Sequence, residues 1–177
     1  LKIKDRVLLG IISGFTGNIV KTIMDEALLS KKISKRSFRT AAAGVWVNKK
    51  SEATNLKGQV LGGLLDFGMA AVGGIGIVHL LSKTGRDYAL TKGVLSGITL
   101  GSTITALLGA LTQNGVKPKD AMSNLSYMAT HAVYGAVTSI IITKLGDSSL
   151  FDSEPLNNYL SPAKPTTEER KIKVTQN

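Results

Sequence analysis

The hydrophobic positions of this chain come in runs too long for a water-soluble helix. Residues 93–116 carry no Asp, Glu, Lys or Arg, and neither do residues 121–143, where His131 is the one basic-type side chain. Residues 58–82 form a third apolar run, interrupted by Asp66 and His79. A helix needs about 20 predominantly apolar residues to cross a hydrocarbon core about 30 Å thick, whereas a helix on a soluble core keeps a polar face over that length. The pattern therefore predicts transmembrane helices over residues 58–81, 89–111 and 121–145. The segments between them, SKTGRDY (82–88) and TQNGVKPKD (112–120), are short and polar. Pro118 suits the entry to a helix, with Asp120 as its N-cap.

A fourth span is expected at residues 7–29, on weaker grounds. The uncharged stretch from Val7 to Val20 is 14 residues, or about 21 Å of helix, which does not cross a bilayer. Reaching Leu29 brings in Lys21, Asp25 and Glu26. Lys21 and Asp25 are four residues apart and can pair on one helix face. Full crossing and a re-entrant or surface-lying amphipathic helix both stay open. KIKDR ahead of VLLGIISGF has the form of a signal-peptide start, but no small-x-small site follows, so a retained helix is expected.

Glycine is placed with a helical period. Gly93, Gly97, Gly101, Thr105 and Gly109 are each four residues apart. The second span repeats the spacing with Gly58, Gly62, Asp66, Ala70 and Gly73, and the first has Gly10 and Gly14 followed by Asn18, Lys21 and Asp25. Lipid supplies no hydrophobic force between helices, so association relies on close backbone approach and interhelical hydrogen bonds. These rows predict an all-α fold, an integral membrane bundle of about four transmembrane helices with Gly-xxx-Gly packing, occupying residues 1–145. Gly93, Gly97, Gly101 and Gly109 are its candidate helix-packing residues. Residues 146–177 hold three of the four prolines, lack periodicity, and read as a polar, disordered or loosely attached tail.

The polar exceptions fall at one depth. Asp66 lies eight residues into its span and His131 ten into its own, about 12 and 15 Å, and Lys21 and the Ser102–Thr105 group lie level with them. Tyr127, His131, Tyr134 and Thr138, together with Asn124, form one face of the last helix and could line a crevice toward His131. Lys21, Asp25, Asp66, Thr105 and His131 are thus a candidate intramembrane polar layer. Ionisable groups at such depth are functional candidates. Asp66 and His131 could handle protons or cations, since small environmental changes move an imidazole across neutral pH. The competing reading, preferred for a chain of this length, is structural: Asp66 pairs with Lys21 or His131 and fixes which helix faces meet.

Charge changes the picture at one place. The chain has a formal net charge of +10, and residues 30–57 contribute eight Lys or Arg, five of them in KKISKRSFR (31–39). Because the basic groups sit between apolar runs, they mark a cytoplasmic, lipid-facing loop. Inside it SFRTAAAGVWV is too short to span and reads as an interfacial helix or as an ordinary loop containing a short helix. Lys31, Lys32, Lys35, Arg36, Arg39 and Trp46 are its candidate headgroup contacts. This orientation leaves the N-terminus outside unless the first helix turns back. No nucleic-acid motif or aromatic stacking platform accompanies the cluster, so no nucleic acid is expected.

Candidate chemistry is sparse. The sequence has no cysteine and two histidines, without metal-ligand spacing, nucleophile motif or phosphate loop. GGIGIV (73–78) lies inside an apolar span and follows no strand, so it is no dinucleotide site. No catalytic residue, metal or cofactor is expected, and the chain does not read as an enzyme. SGFTGNIVK (13–21), LLSKTGRDYALTKG (80–93) and KPKDAMSN (117–124) resemble small, glycine-rich multi-pass membrane proteins of anaerobic spore-forming Gram-positive bacteria, over about residues 3–147. The resemblance implies a bacterial inner (cytoplasmic) membrane location and an unassigned function, and it carries over no site residue. The expected role is a structural or interaction component that contacts the bilayer, anionic headgroups, and copies of itself or other membrane proteins. A proton- or cation-conducting channel or transporter built on Asp66 and His131 is the alternative. A soluble helical protein that binds anionic surfaces is the third reading.

Overall fold

The computed structural model describes residues 2–117 and 119–151. Four long helices dominate it: α1 (Arg6–Ser30), α4 (Leu56–Thr84), α5 (Ala89–Ala110) and α6 (Ala121–Leu145). Two short helices, α2 (Phe38–Ala43) and α3 (Lys50–Thr54), lie in the connection between α1 and α4, and a 3₁₀ turn covers Ser148–Leu150. The fold is all-α, and all four long helices are long and apolar enough to cross a membrane. At about 1.5 Å per residue, even the 22-residue α5 exceeds the hydrocarbon thickness of about 30 Å.

The first helix is continuous over 25 residues and is long and apolar enough to cross a membrane, so it does not turn back within its length. Burial of Lys21 and Asp25 inside the bundle removes the charges that made a crossing doubtful. Caps set the helix starts: Asp5 accepts the N–H of Leu8, Asn55 that of Gly58 and Asp120 that of Ser123. α4 starts earlier and ends later than expected. Gly85 ends it at φ 77° and ψ 171°, a backbone region open essentially to glycine alone.

α5 packs chiefly on α6, α6 on α1 and α1 on α4, whereas α4 and α5 barely meet. The helices thus form an arc with α4 and α5 at its two edges. The four long helices alternate in direction, so residues 31–55, 111–117 and 119–120 share one end, here the connector end. The chain start, residues 85–88 and residues 146–151 share the other, the terminal end. There Ile3 donates to the Leu145 carbonyl and Asp147 donates to that of Ile3. Residues 146–151 are therefore not loosely attached: Leu150 and Phe151 join the core with Leu81 and Ile142. Residues 152–177, the remainder of the expected tail, and Pro118 lie outside the described residues.

The interior mixes apolar clusters with buried polar groups, and much of the exterior is apolar. Leu64, Val72, Leu95 and Leu107 face outward, while Ser13, Asn18, Lys21, Asp66, Thr130 and Thr138 are buried. Such apolar exteriors suit hydrocarbon and would be sticky in water, which removes the support for a soluble surface-binding protein.

Candidate functional site: a buried polar layer

Close helix approach comes first, because it brings the polar groups into reach. A Cβ added at Gly97 would strike the His131 carbonyl, one at Gly101 the His131 ring, and one at Gly93 the Gly135 carbonyl and Ser139. On the other side of the arc Gly14 meets the Ala70 carbonyl and Gly74 that of Gly10. Two details differ from the sequence reading. The buried row of α4 runs Gly58, Gly62, Asp66, Ala70, Gly74, so Gly74 takes the place expected for Gly73, one further four-residue step. Gly109, expected in the packing row, has nothing within 4 Å of a Cβ placed on it. At that level the buried face of α5 has passed to Ile104 and Leu108.

With backbones this close, the Lys21 ammonium pairs directly with the Asp66 carboxylate across the α1–α4 seam. Asn18 donates to the second Asp66 oxygen at 3.3 Å. Phe38 covers the ammonium, its ring centroid 4.5 Å from Nζ. The His131 ring meets Phe38 edge-on at 4.7 Å, and its Nδ1 lies 2.7 Å from the Tyr127 carbonyl. A carbonyl only accepts, so Nδ1 carries the proton and a neutral ring has Nε2 as its acceptor. Tyr134 donates to the Ala70 carbonyl at 2.7 Å.

Lys21, Asp66, Asn18, His131 and Tyr134 border one cavity of about 10 Å³. That volume is at the lower limit for a single water. Leu100 borders it and also borders a groove between α4 and α5. The stripe on α6 does not form a crevice: Tyr127, His131, Tyr134 and Thr138 are all buried.

Two expected members of the layer lie apart. Asp25 is buried one turn toward the connector end, where it accepts the Phe38 N–H at 2.7 Å. Its expected partner Lys21 is bonded to Asp66. Thr105 is buried on α5, does not border the cavity, and its hydroxyl has no hydrogen-bond partner among the described residues.

Phe38 reaches the layer because the 30–57 connection enters the bundle. α2 does not lie in the interface: Phe38, Ala41, Ala42 and Ala43 are almost fully buried. Gly62 of α4 meets the Arg39 carbonyl, Asn114 donates to that of Ala41, and Tyr127 to that of Arg36. The segment fills the connector-end half of the gap between α4 and α5. The headgroup set is therefore divided. Lys31, Lys32, Lys35 and Trp46 are exposed. Arg39 pairs with Glu26, and Arg36 pairs with Asp120 at 3.6 Å. Burial tends to raise the Asp120 carboxyl. The Ser123 hydrogen bonds, aided by the Lys35 and Arg36 charges, outweigh it and hold the group below its ordinary range.

Asn18 and Phe38 were missed as members of the site. Asn18 had a signal, its position three residues before Lys21 on one helix face. Phe38 had only its place as an apolar residue inside the basic run. No group of His, Cys, Asp and Glu among the described residues could hold a metal ion. No family model, curated protein or solved structure matches the chain. The class therefore rests on the helices themselves: this is a multi-pass membrane protein with four candidate spans.

Proposed function

We propose that the chain is a structural or interaction component of a bacterial cytoplasmic membrane, and that its polar layer is a lock between helices rather than a conduit. One observation carries this: the Lys21–Asp66 pair is directly bonded beside a space fit for at most one water, with Phe38 over the ammonium. A conduit needs a continuous hydrated path, and the cavity beside the pair holds no chain of waters. A buried pair of this kind specifies register, the best-attested use of ionic groups in an apolar interior. The four long apolar helices support the membrane location. Conduction of protons or cations remains the second reading, favoured by His131 bordering the same cavity as Asp66.

The test is proton flux in liposomes loaded with a pH-sensitive dye. The lock predicts no flux above protein-free vesicles for the native chain, Asp66→Asn or His131→Ala, with Asp66→Asn less stable. Flux that the native chain supports and both substitutions abolish would overturn it in favour of conduction.

A further inference from the structure

The connector-end half of the gap between α4 and α5 is filled by α2, and the terminal-end half is open. There a groove of about 600 Å³ runs between the helices, walled by Val72, Gly76 and Leu80 of α4 and by Leu95 and Leu100 of α5, with Lys92 at one end. It exists because each edge helix is pulled toward a different inner partner, α4 toward α1 and α5 toward α6. From Lys92 to Thr103, the last α5 residue along it, is 11 residues, or about 16 Å of helix. That is about half of a 30 Å hydrocarbon core, the depth of one leaflet.

We propose that this groove is a binding site for an anionic membrane phospholipid, its acyl chain lying along the groove and its phosphate at Lys92. The Lys92 ammonium donates to the carbonyls of Thr84 at 2.9 Å and Gly85 at 3.0 Å. These bonds hold it at the mouth and leave one of its three N–H groups for a headgroup oxygen. Residues 83–92 contain Lys83, Arg86 and Lys92 against Asp87 alone, and Asp87 lies near enough to act on the Lys92 charge. Lys92 is the one of these charged groups that borders the groove, so an ammonium stands where a headgroup would sit. A second copy is the poorer occupant, because a symmetric pairing through this face brings two Lys92 ammoniums to the same level. The site lies at the opposite end of α5 from the exposed lysines of residues 31–35, and it does not depend on whether the polar layer conducts.

The test uses the full chain in vesicles, with Leu95→Trp as a reporter in a Trp46→Phe background and bromine on the lipid acyl chains. The comparison is between phosphatidylglycerol and phosphatidylcholine at the same low mole fraction. One lysine near an anionic surface is worth about 1 kcal/mol, a preference of about fivefold. Quenching at position 95 should favour phosphatidylglycerol by about that factor. Lys92→Gln should make the two lipids equal, and Lys31→Gln with Lys32→Gln should leave the preference intact. Equal quenching with Lys92 present overturns the proposal, as does a preference that survives Lys92→Gln. So does weak quenching by both lipids together with cross-linking between copies at position 95. If the reporter variant fails to fold, native mass spectrometry of the chain with its own Trp46 decides. Retained phosphatidylglycerol that Lys92→Gln releases supports the site, and retention indifferent to Lys92 overturns it.

Discussion

α4 shows two faces to its surroundings, and both carry two glycines at regular helical spacing. One runs Gly62, Asp66, Ala70, Gly74 and is buried against α1 and α2; the other alternates large and small residues, Leu64, Gly68, Val72, Gly76, and faces outward. Asp66 is 4% exposed and Leu64 is 68%. Glycine spacing alone does not separate these faces. The buried one has a carboxylate that cannot face hydrocarbon, and a partner helix whose Gly10 and Gly14 offer matching close approach. A small-residue row becomes a seam when a polar member or a complementary row commits it.

The largest test of that contrast removes the carboxylate. Asp66→Asn leaves Lys21 buried without its counter-charge, a change that costs about 3–5 kcal/mol in buried pairs. Equilibrium unfolding in mixed micelles should show it, and adding Lys21→Met should return most of the loss. A cost within about 0.5 kcal/mol, the range of surface changes, would mean that Asp66 does not choose the face.

Packing gives the next effect. Gly74→Leu should destabilise by roughly 1–3 kcal/mol, the usual range for overpacking, because its side chain would enter the α1 backbone at Gly10 and Gly14. Gly68→Leu, with nothing within 4 Å, should stay within about 0.5 kcal/mol. The same assay on α5 should separate Gly97→Leu from Gly109→Leu. Equal costs within either pair would erase the distinction between seam and open face.

The smallest effect lies at the connector end, where water reaches the caps. Asp120→Ala should lower stability by about 1 kcal/mol at neutral pH through loss of the α6 N-cap. Because the folded pKa of Asp120 is depressed, its contribution is present above the ordinary value of 3.8 and is lost as pH falls through the lower folded value. The difference between native and Asp120→Ala chains should therefore shrink in acid, as unfolding measured at pH 7 and below pH 3.8 would show.

The long helices were legible in the sequence, since an uncharged run such as 93–116 has few other stable forms once water is excluded. The tight α5–α6 approach through Gly93, Gly97 and Gly101 followed from the same logic, and Gly109 did not, because a four-residue row drifts about 40° round the helix per step and the buried face passes to Ile104 and Leu108. In the candidate site, the depth of Asp66, Lys21 and His131 could be read by counting residues. Their pairing could be narrowed, Asp66 to Lys21 or His131, but not decided. Lys21 has Asp25 four residues away and Asp66 across a helix seam, and local spacing favours the first.

What the sequence determined by itself is the solvent and the layering: three apolar runs of membrane length and a shorter fourth, with their polar exceptions at a shared depth, because helix rise per residue is fixed. Only the tertiary structure decided which glycine face of α4 closes, that α2 enters the bundle instead of lying on its surface, and that Lys21 bonds to Asp66 while Asp25 takes the Phe38 N–H. Those choices rest on contacts between residues far apart in the chain. In an apolar interior a buried ammonium or N–H bonds to whichever acceptor the packed backbones bring within reach.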